Sequence, residues 1–90
     1  MKAIHAVVEG EVQGVGFRYS ALREARALGV SGWVRNADDG TVEVWAEGED
    51  AAIEGFLVWL KTGPSTARVR DVKVSWETPK RANSSFEIAF

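Results

Sequence analysis

The sequence predicts an α+β sandwich in which two helices cover one face of an antiparallel-rich sheet. Three observations carry this expectation. Two windows, Phe17 to Leu28 and Asp50 to Lys61, repeat apolar residues at the spacing of a core-facing helix. Five further windows alternate apolar with polar residues or run mostly apolar, as strands do. Between two of them, Asp38-Asp39-Gly40 is a strong hairpin signal. The resulting order is βαββαβ with a short extra C-terminal strand, the split-βαβ or ferredoxin-like arrangement.

In chain order, Lys2 to Glu9 sets His5 and Val7 against Ile4, Ala6 and Val8, a mostly apolar run suited to a central strand. Phe17, Ala21, Leu22, Ala25 and Leu28 then form one helical stripe, and Gly29-Val30 reads as its C-terminal cap. The short strand Gly32 to Arg35 pairs through the hairpin with a second strand. There Val42, Val44 and Ala46 alternate with Glu43, Trp45 and Glu47. Ile53, Phe56, Leu57 and Leu60 give the second helix its buried face, acidic Glu49 and Asp50 suit its start, and Gly63-Pro64 ends it. Val72, Val74 and Trp76 alternate with Asp71, Lys73 and Ser75, and Phe86, Ile88 and Phe90 alternate with Glu87 and Ala89, giving two half-buried strands. Thr78 to Ser85 reads as a polar loop whose Lys80 and Arg81 are solvated.

Composition bounds the function. Ninety residues, 46% of them hydrophobic, make one domain with its own core, spanning residues 1–90 without linker or repeat. Size scaling puts its folded surface at about 5,200 Å². The chain has no cysteine, so disulfides, zinc-thiolate clusters and thiol catalysis are excluded. A formal charge of −2 lacks the basic excess of nucleic-acid binders. The N-terminus carries no signal-peptide apolar core, and no apolar run approaches membrane-spanning length, so a cytoplasmic protein with no membrane partner is expected.

The chemistry concentrates at the head of the first helix. Gly10-Glu11-Val12-Gln13-Gly14-Val15-Gly16-Phe17-Arg18 joins a strand to a helix with three glycines. Such a loop brings backbone N–H groups close to a ligand, and the helix adds the positive end of its dipole. A phosphate suits it. The place of a third dinucleotide-loop glycine falls on Tyr19, and no Gly-Lys-Ser/Thr is present, so one small phosphoryl group fits better than NAD or ATP. Taken alone, the glycines fit better a loop that merely turns the chain.

Arg18 tips the balance towards an anion. A cation in the first turn of a helix costs about 0.3–1 kcal/mol against the dipole. Each charge-assisted bond to a phosphate oxygen contributes about 1.5–3 kcal/mol, which exceeds that cost. Arg23 and Arg26 read as solvated. Asn36, before the hairpin, is on spacing alone an ordinary turn residue. His5 lies inside a strand and reads as structural, and the four tryptophans read as packing or sheet-surface aromatics.

Three blocks resemble the signature sequences of the acylphosphatases. They are Glu9 to Arg18, Leu28 to Asn36 and Asp39 to Glu43, in that order and spacing, followed by Gly63-Pro64 and Ala67-Arg68-Val69. The resemblance spans essentially the whole chain. It implies a hydrolase, without metal or other cofactor, that splits the carboxyl-phosphate anhydride of acyl phosphates into a carboxylate and inorganic phosphate. It assigns phosphoryl binding to Arg18 and positioning of the attacking water to Asn36. Backbone N–H groups from Gln13, Gly14, Val15, Gly16, Phe17 and Arg18 would hold the phosphate, with the water's proton passing to a phosphate oxygen. Many members carry a basic residue where this chain has Ala89.

So sparse a site suits the reaction, because a carboxylate leaving group needs little protonation and transfer depends on positioning and charge neutralisation. The expected partners are a small acyl phosphate and inorganic phosphate, the latter as product and inhibitor, acting on a monomer. The alternative is a non-catalytic phospho-ligand or RNA-binding module on the same fold. An RNA-binding sheet needs exposed aromatics with a basic rim, which an acidic chain does not supply. A regulatory or maturation module built on the same domain is a further reading.

Overall fold

The computed structural model describes Met1 to Phe90. Its elements are β1 (Lys2–Glu11), α1 (Phe17–Leu28), β2 (Ser31–Asn36), β3 (Val42–Gly48), α2 (Asp50–Thr62), β4 (Arg68–Glu77) and β5 (Phe86–Ile88). The five strands form one sheet in the order β4-β1-β3-β2-β5. All pairs are antiparallel except β2 with β5. This is the βαββαβ sandwich with its added strand, and its surface of 5108 Å² agrees with the size-scaling expectation.

Period-2 alternation sorts the sheet residues onto two faces. Ile4, Ala6, Val8, Val34, Val42, Val44 and Ala46 face the helices and join Phe17, Ala21, Ala25, Ile53, Phe56 and Leu60 in one core. Aromatic contacts knit the layers: Phe17 of α1 lies 5.4 Å from Trp59 of α2, and Phe56 of α2 meets Phe86 of β5 edge-on at 5.6 Å. Gly29 caps α1 in the left-handed conformation expected, with Val30 N donating to Ala25 O at 2.8 Å.

Strand limits differ from expectation by more than one residue in three places. β1 does not stop at Glu9. The ladder with β4 shifts register between Glu9 and Gly10 and then continues to Glu11. Gly10 has φ 134°, and a Cβ there would stand 2.1 Å from the Arg68 carbonyl oxygen, so this glycine belongs to a bulge and not to the loop. β4 starts three residues earlier than its alternation suggested, because Gly10 and Glu11 continue the ladder to Val69 and Arg68. β5 ends at Ile88, although Ala89 N still donates to Val34 O at 2.8 Å.

The other face of the sheet carries polar pairs and a strap. β4 and β5 lie at opposite edges, so the Thr78 to Ser85 connection crosses from one to the other. It is pinned on the way: Lys80 N and Arg81 N donate to the two oxygens of Glu47 at 3.1 and 2.9 Å. Trp45 Nε1 donates to the same carboxylate at 2.7 Å, and Lys80 Nζ sits 4.5 Å from the Trp45 ring. The loop's basic side chains are exposed as expected, but its backbone is anchored. Trp76 is 54% exposed, its ring met by Lys2 at 5.4 Å.

Candidate active site

The connection from β1 to α1 is built around positive φ. Gly14 and Gly16 have φ 74° and 78°, a region that side chains with Cβ rarely adopt, and both open onto free space. Gly16 is also the N-cap of α1, where a glycine supplies no side-chain acceptor. The first turn contains no acidic residue. As a result, the backbone N–H groups from Gln13 to Tyr19 donate to no acceptor in the protein. A row of free amides ending in a helix N-terminus concentrates positive potential at one spot.

Three tethers hold this row in shape. On one flank, Gln13 Nε2 donates to Ala37 O at 2.8 Å and to Thr41 O at 2.9 Å, fastening the loop to the β2–β3 turn. On the other flank, Thr66 Oγ1 donates to Val15 O at 2.6 Å from the α2–β4 connection. Beneath, the buried Phe17 ring packs on Trp59. The turn itself is braced by Asp39 Oδ1, which accepts from Thr41 Oγ1 at 2.6 Å and Thr41 N at 3.0 Å. Those hydrogen bonds hold the Asp39 carboxyl below its ordinary pKa.

Arg18 adds the formal charge. It is only partly exposed and forms no ion pair with any carboxylate of the chain. Its guanidinium carbon lies 5.4 Å from the centroid of the C-terminal Phe90 ring. Asn36 closes β2, and its Oδ1 is buried without a hydrogen-bond donor. An unsatisfied buried acceptor of this kind costs about 1–3 kcal/mol and is tolerated where an incoming donor repays it. The Gln13 tether reaches Ala37, the residue next to Asn36, so loop and asparagine are fastened to one another.

His5 stands apart, on the open sheet face. His5 Nε2 and Glu43 Oε2 are hydrogen-bonded at 2.6 Å, and Arg35 Nε donates to Glu43 Oε1 at 2.6 Å. The His5 bond, opposed by burial and helped by Arg35, keeps the Glu43 carboxyl below its ordinary pKa. At Glu47, burial pushes the other way but is outweighed by the donors from Trp45, Arg81 and Lys80, so its carboxyl is lowered too.

A family model described as acylphosphatase matches residues 4–88. The chain belongs to the acylphosphatase family. An acylphosphatase of Anaeromyxobacter sp. (strain Fw109-5) is 60% identical over 72 residues, covering 80% of this chain and 77% of that protein. One from Roseiflexus sp. (strain RS-1) is 49% identical over 88 residues, covering 98% and 95%. The crystal structure of acylphosphatase from Bacillus subtilis superposes with a TM-score of 0.95 at 38% identity, covering all of both chains. Acylphosphatase activity is hydrolysis of an acid anhydride, and the substrate is a small acyl phosphate. No helix of this chain is long and apolar enough to cross a membrane.

Of the residues singled out in the sequence, Gln13 to Arg18 form the amide row and Asn36 is fastened beside it. The tethering by the Gln13 side chain, the Thr66 support and the Phe90 ring were not anticipated. Each depends on a contact between segments far apart in the chain, and only the aromatic last residue gave any hint in the sequence.

Proposed function

We propose that the Gln13–Arg18 loop and the Arg18 guanidinium bind the phosphoryl group of an acyl phosphate, and that Asn36 holds the water that attacks it. The observation supporting this most strongly is the coincidence of free N–H groups from Gln13 to Tyr19 with an arginine that has no carboxylate partner. Two sources of positive potential at one helix end are each unfavourable alone and mutually repulsive. A dianion neutralises both.

The water donates one hydrogen to the buried Asn36 Oδ1, which turns a lone pair of its oxygen towards phosphorus. The new P–O bond forms as the bond from phosphorus to the carboxyl oxygen breaks, and the electron pair leaves with the carboxylate. One water proton passes to a phosphoryl oxygen, and the other stays on the new P–OH. The acyl phosphate dianion and water thus give a carboxylate and dihydrogen phosphate. Negative charge spread over the equatorial oxygens in the transition state meets the amides and the guanidinium, which are already oriented.

The test is hydrolysis of benzoyl phosphate, with a phosphomonoester as control and inorganic phosphate as competitor. The expected result is turnover of the anhydride alone, competitive inhibition by phosphate, and a fall of about 10³-fold or more in kcat/KM for Arg18→Ala. Asn36→Ala should lower kcat about 10²-fold with little change in KM. Full activity in Arg18→Ala overturns the assignment of the phosphoryl site.

A further inference from the structure

We propose that the groove between the two helices receives the acyl half of the substrate, and that Arg23 in it favours acyl groups ending in a second anion. This rests on the reading of the phosphoryl site given above. The groove has a volume of about 400 Å³ and is lined by Ser20, Arg23, Glu24 and Ala27 of α1, Trp59 of α2, and Pro64. Its upper end adjoins the amide loop. Ser20 N donates to Gly16 O at 3.1 Å, and Thr66, two residues beyond Pro64, donates to Val15 O.

The direction of departure comes from the geometry of displacement, in which attacking and leaving oxygens lie roughly in line. Asn36 stands at the end of β2, beside the flank of the loop that Gln13 ties to the β2–β3 turn. The opposite flank is Val15, tied to the α2–β4 connection. With water on the Asn36 flank, the carboxylate leaves across Val15, towards the end of the groove formed by Ser20 and Pro64. Arg18 does not obstruct it. At about 100° per helical residue, Ser20 and Arg23 sit about 160° and about 140° round the axis from Arg18.

Arg23 is exposed and forms no ion pair. Its Cα lies about 7.5 Å further along the helix than that of Arg18. Helical side chains lean towards the N-terminus, which brings its guanidinium back towards the loop. That offset suits the distal carboxylate of a short dicarboxylic acyl phosphate, whose other end is held at the amide row. Glu24 lines the same groove and repels such a carboxylate, so the two residues set the preference in opposite senses.

The experiment compares kcat/KM for succinyl phosphate with that for acetyl phosphate in the whole protein and in four variants. Arg23→Glu is expected to lower the succinyl-to-acetyl ratio about tenfold and Arg23→Gln by a smaller factor. Glu24→Gln is expected to raise the ratio. Lys2→Glu, the same charge change at the far end of β1, is expected to leave it alone. An unchanged ratio in Arg23→Glu overturns the inference, as does an equal fall in Lys2→Glu, which would mark a general field effect. Absence of acetyl phosphate hydrolysis in the unmodified protein would instead overturn the reading of the phosphoryl site.

Discussion

Arg18, near the start of the first helix, is met by Phe90, the last residue of the chain, with 5.4 Å between guanidinium carbon and ring centroid. The contact depends on β5, which pairs in parallel with β2 and continues through the bond from Ala89 N to Val34 O. The strap pinned by Glu47 delivers β5 to that edge. Structure far from the loop therefore sets an aromatic ring beside its only full positive charge.

Removing the ring should loosen Arg18 without discharging it. A cation–π contact at an exposed site contributes about 0.5–1 kcal/mol. Phe90→Ala is expected to raise KM for an acyl phosphate and the inhibition constant of phosphate together, each about two- to fivefold. Steady-state kinetics with and without phosphate checks this, and Phe90→Tyr should restore the original values.

Gln13 contributes through its side chain as much as its backbone, because one amide nitrogen holds both Ala37 O and Thr41 O. Each such bond has a net worth of about 0.5–1.5 kcal/mol. Gln13→Ala is expected to reduce unfolding free energy by about 1–3 kcal/mol and to lower kcat/KM as the loop and Asn36 lose their common anchor. Urea denaturation and kinetics on the same preparation measure both.

Stability should fall in acid for an identifiable reason. Glu43 and Glu47 both have carboxyls lowered from the ordinary value of 4.5 in the folded state. Their contribution is therefore present above pH 4.5 and is lost as pH falls through the lower folded values. Urea midpoints measured from pH 7 down to 3 should decline below about pH 4.5. Glu47→Gln should be less stable at neutral pH and show a shallower decline.

Local sequence carried most of the fold. Helical stripes at Ala21 and Ala25 and at Ile53, Phe56 and Leu60 were legible because burial demands that spacing. The need for glycine at Gly14 and Gly16, both at positive φ, was legible too, and Arg18 stood out as a cation that is costly in a first helical turn unless an anion lies there. Gly10 was misplaced, since the bulge that requires it is defined by the approach of Arg68 from another strand. The strap was read as mere surface because its side chains are polar, while its anchoring is by backbone N–H groups to Glu47. Asn36 looked on spacing alone like a turn residue, whereas it is the last residue of β2, paired with Val42, and its Oδ1 is buried.

The most direct measurement is a titration of the isotope-labelled protein with inorganic phosphate, followed by amide NMR. Saturable shifts centred on Gln13 to Tyr19 are expected, with affinity weakened at least about thirtyfold in Arg18→Ala. Shifts that spare this segment, or equal affinity in the variant, would contradict the phosphoryl-site assignment.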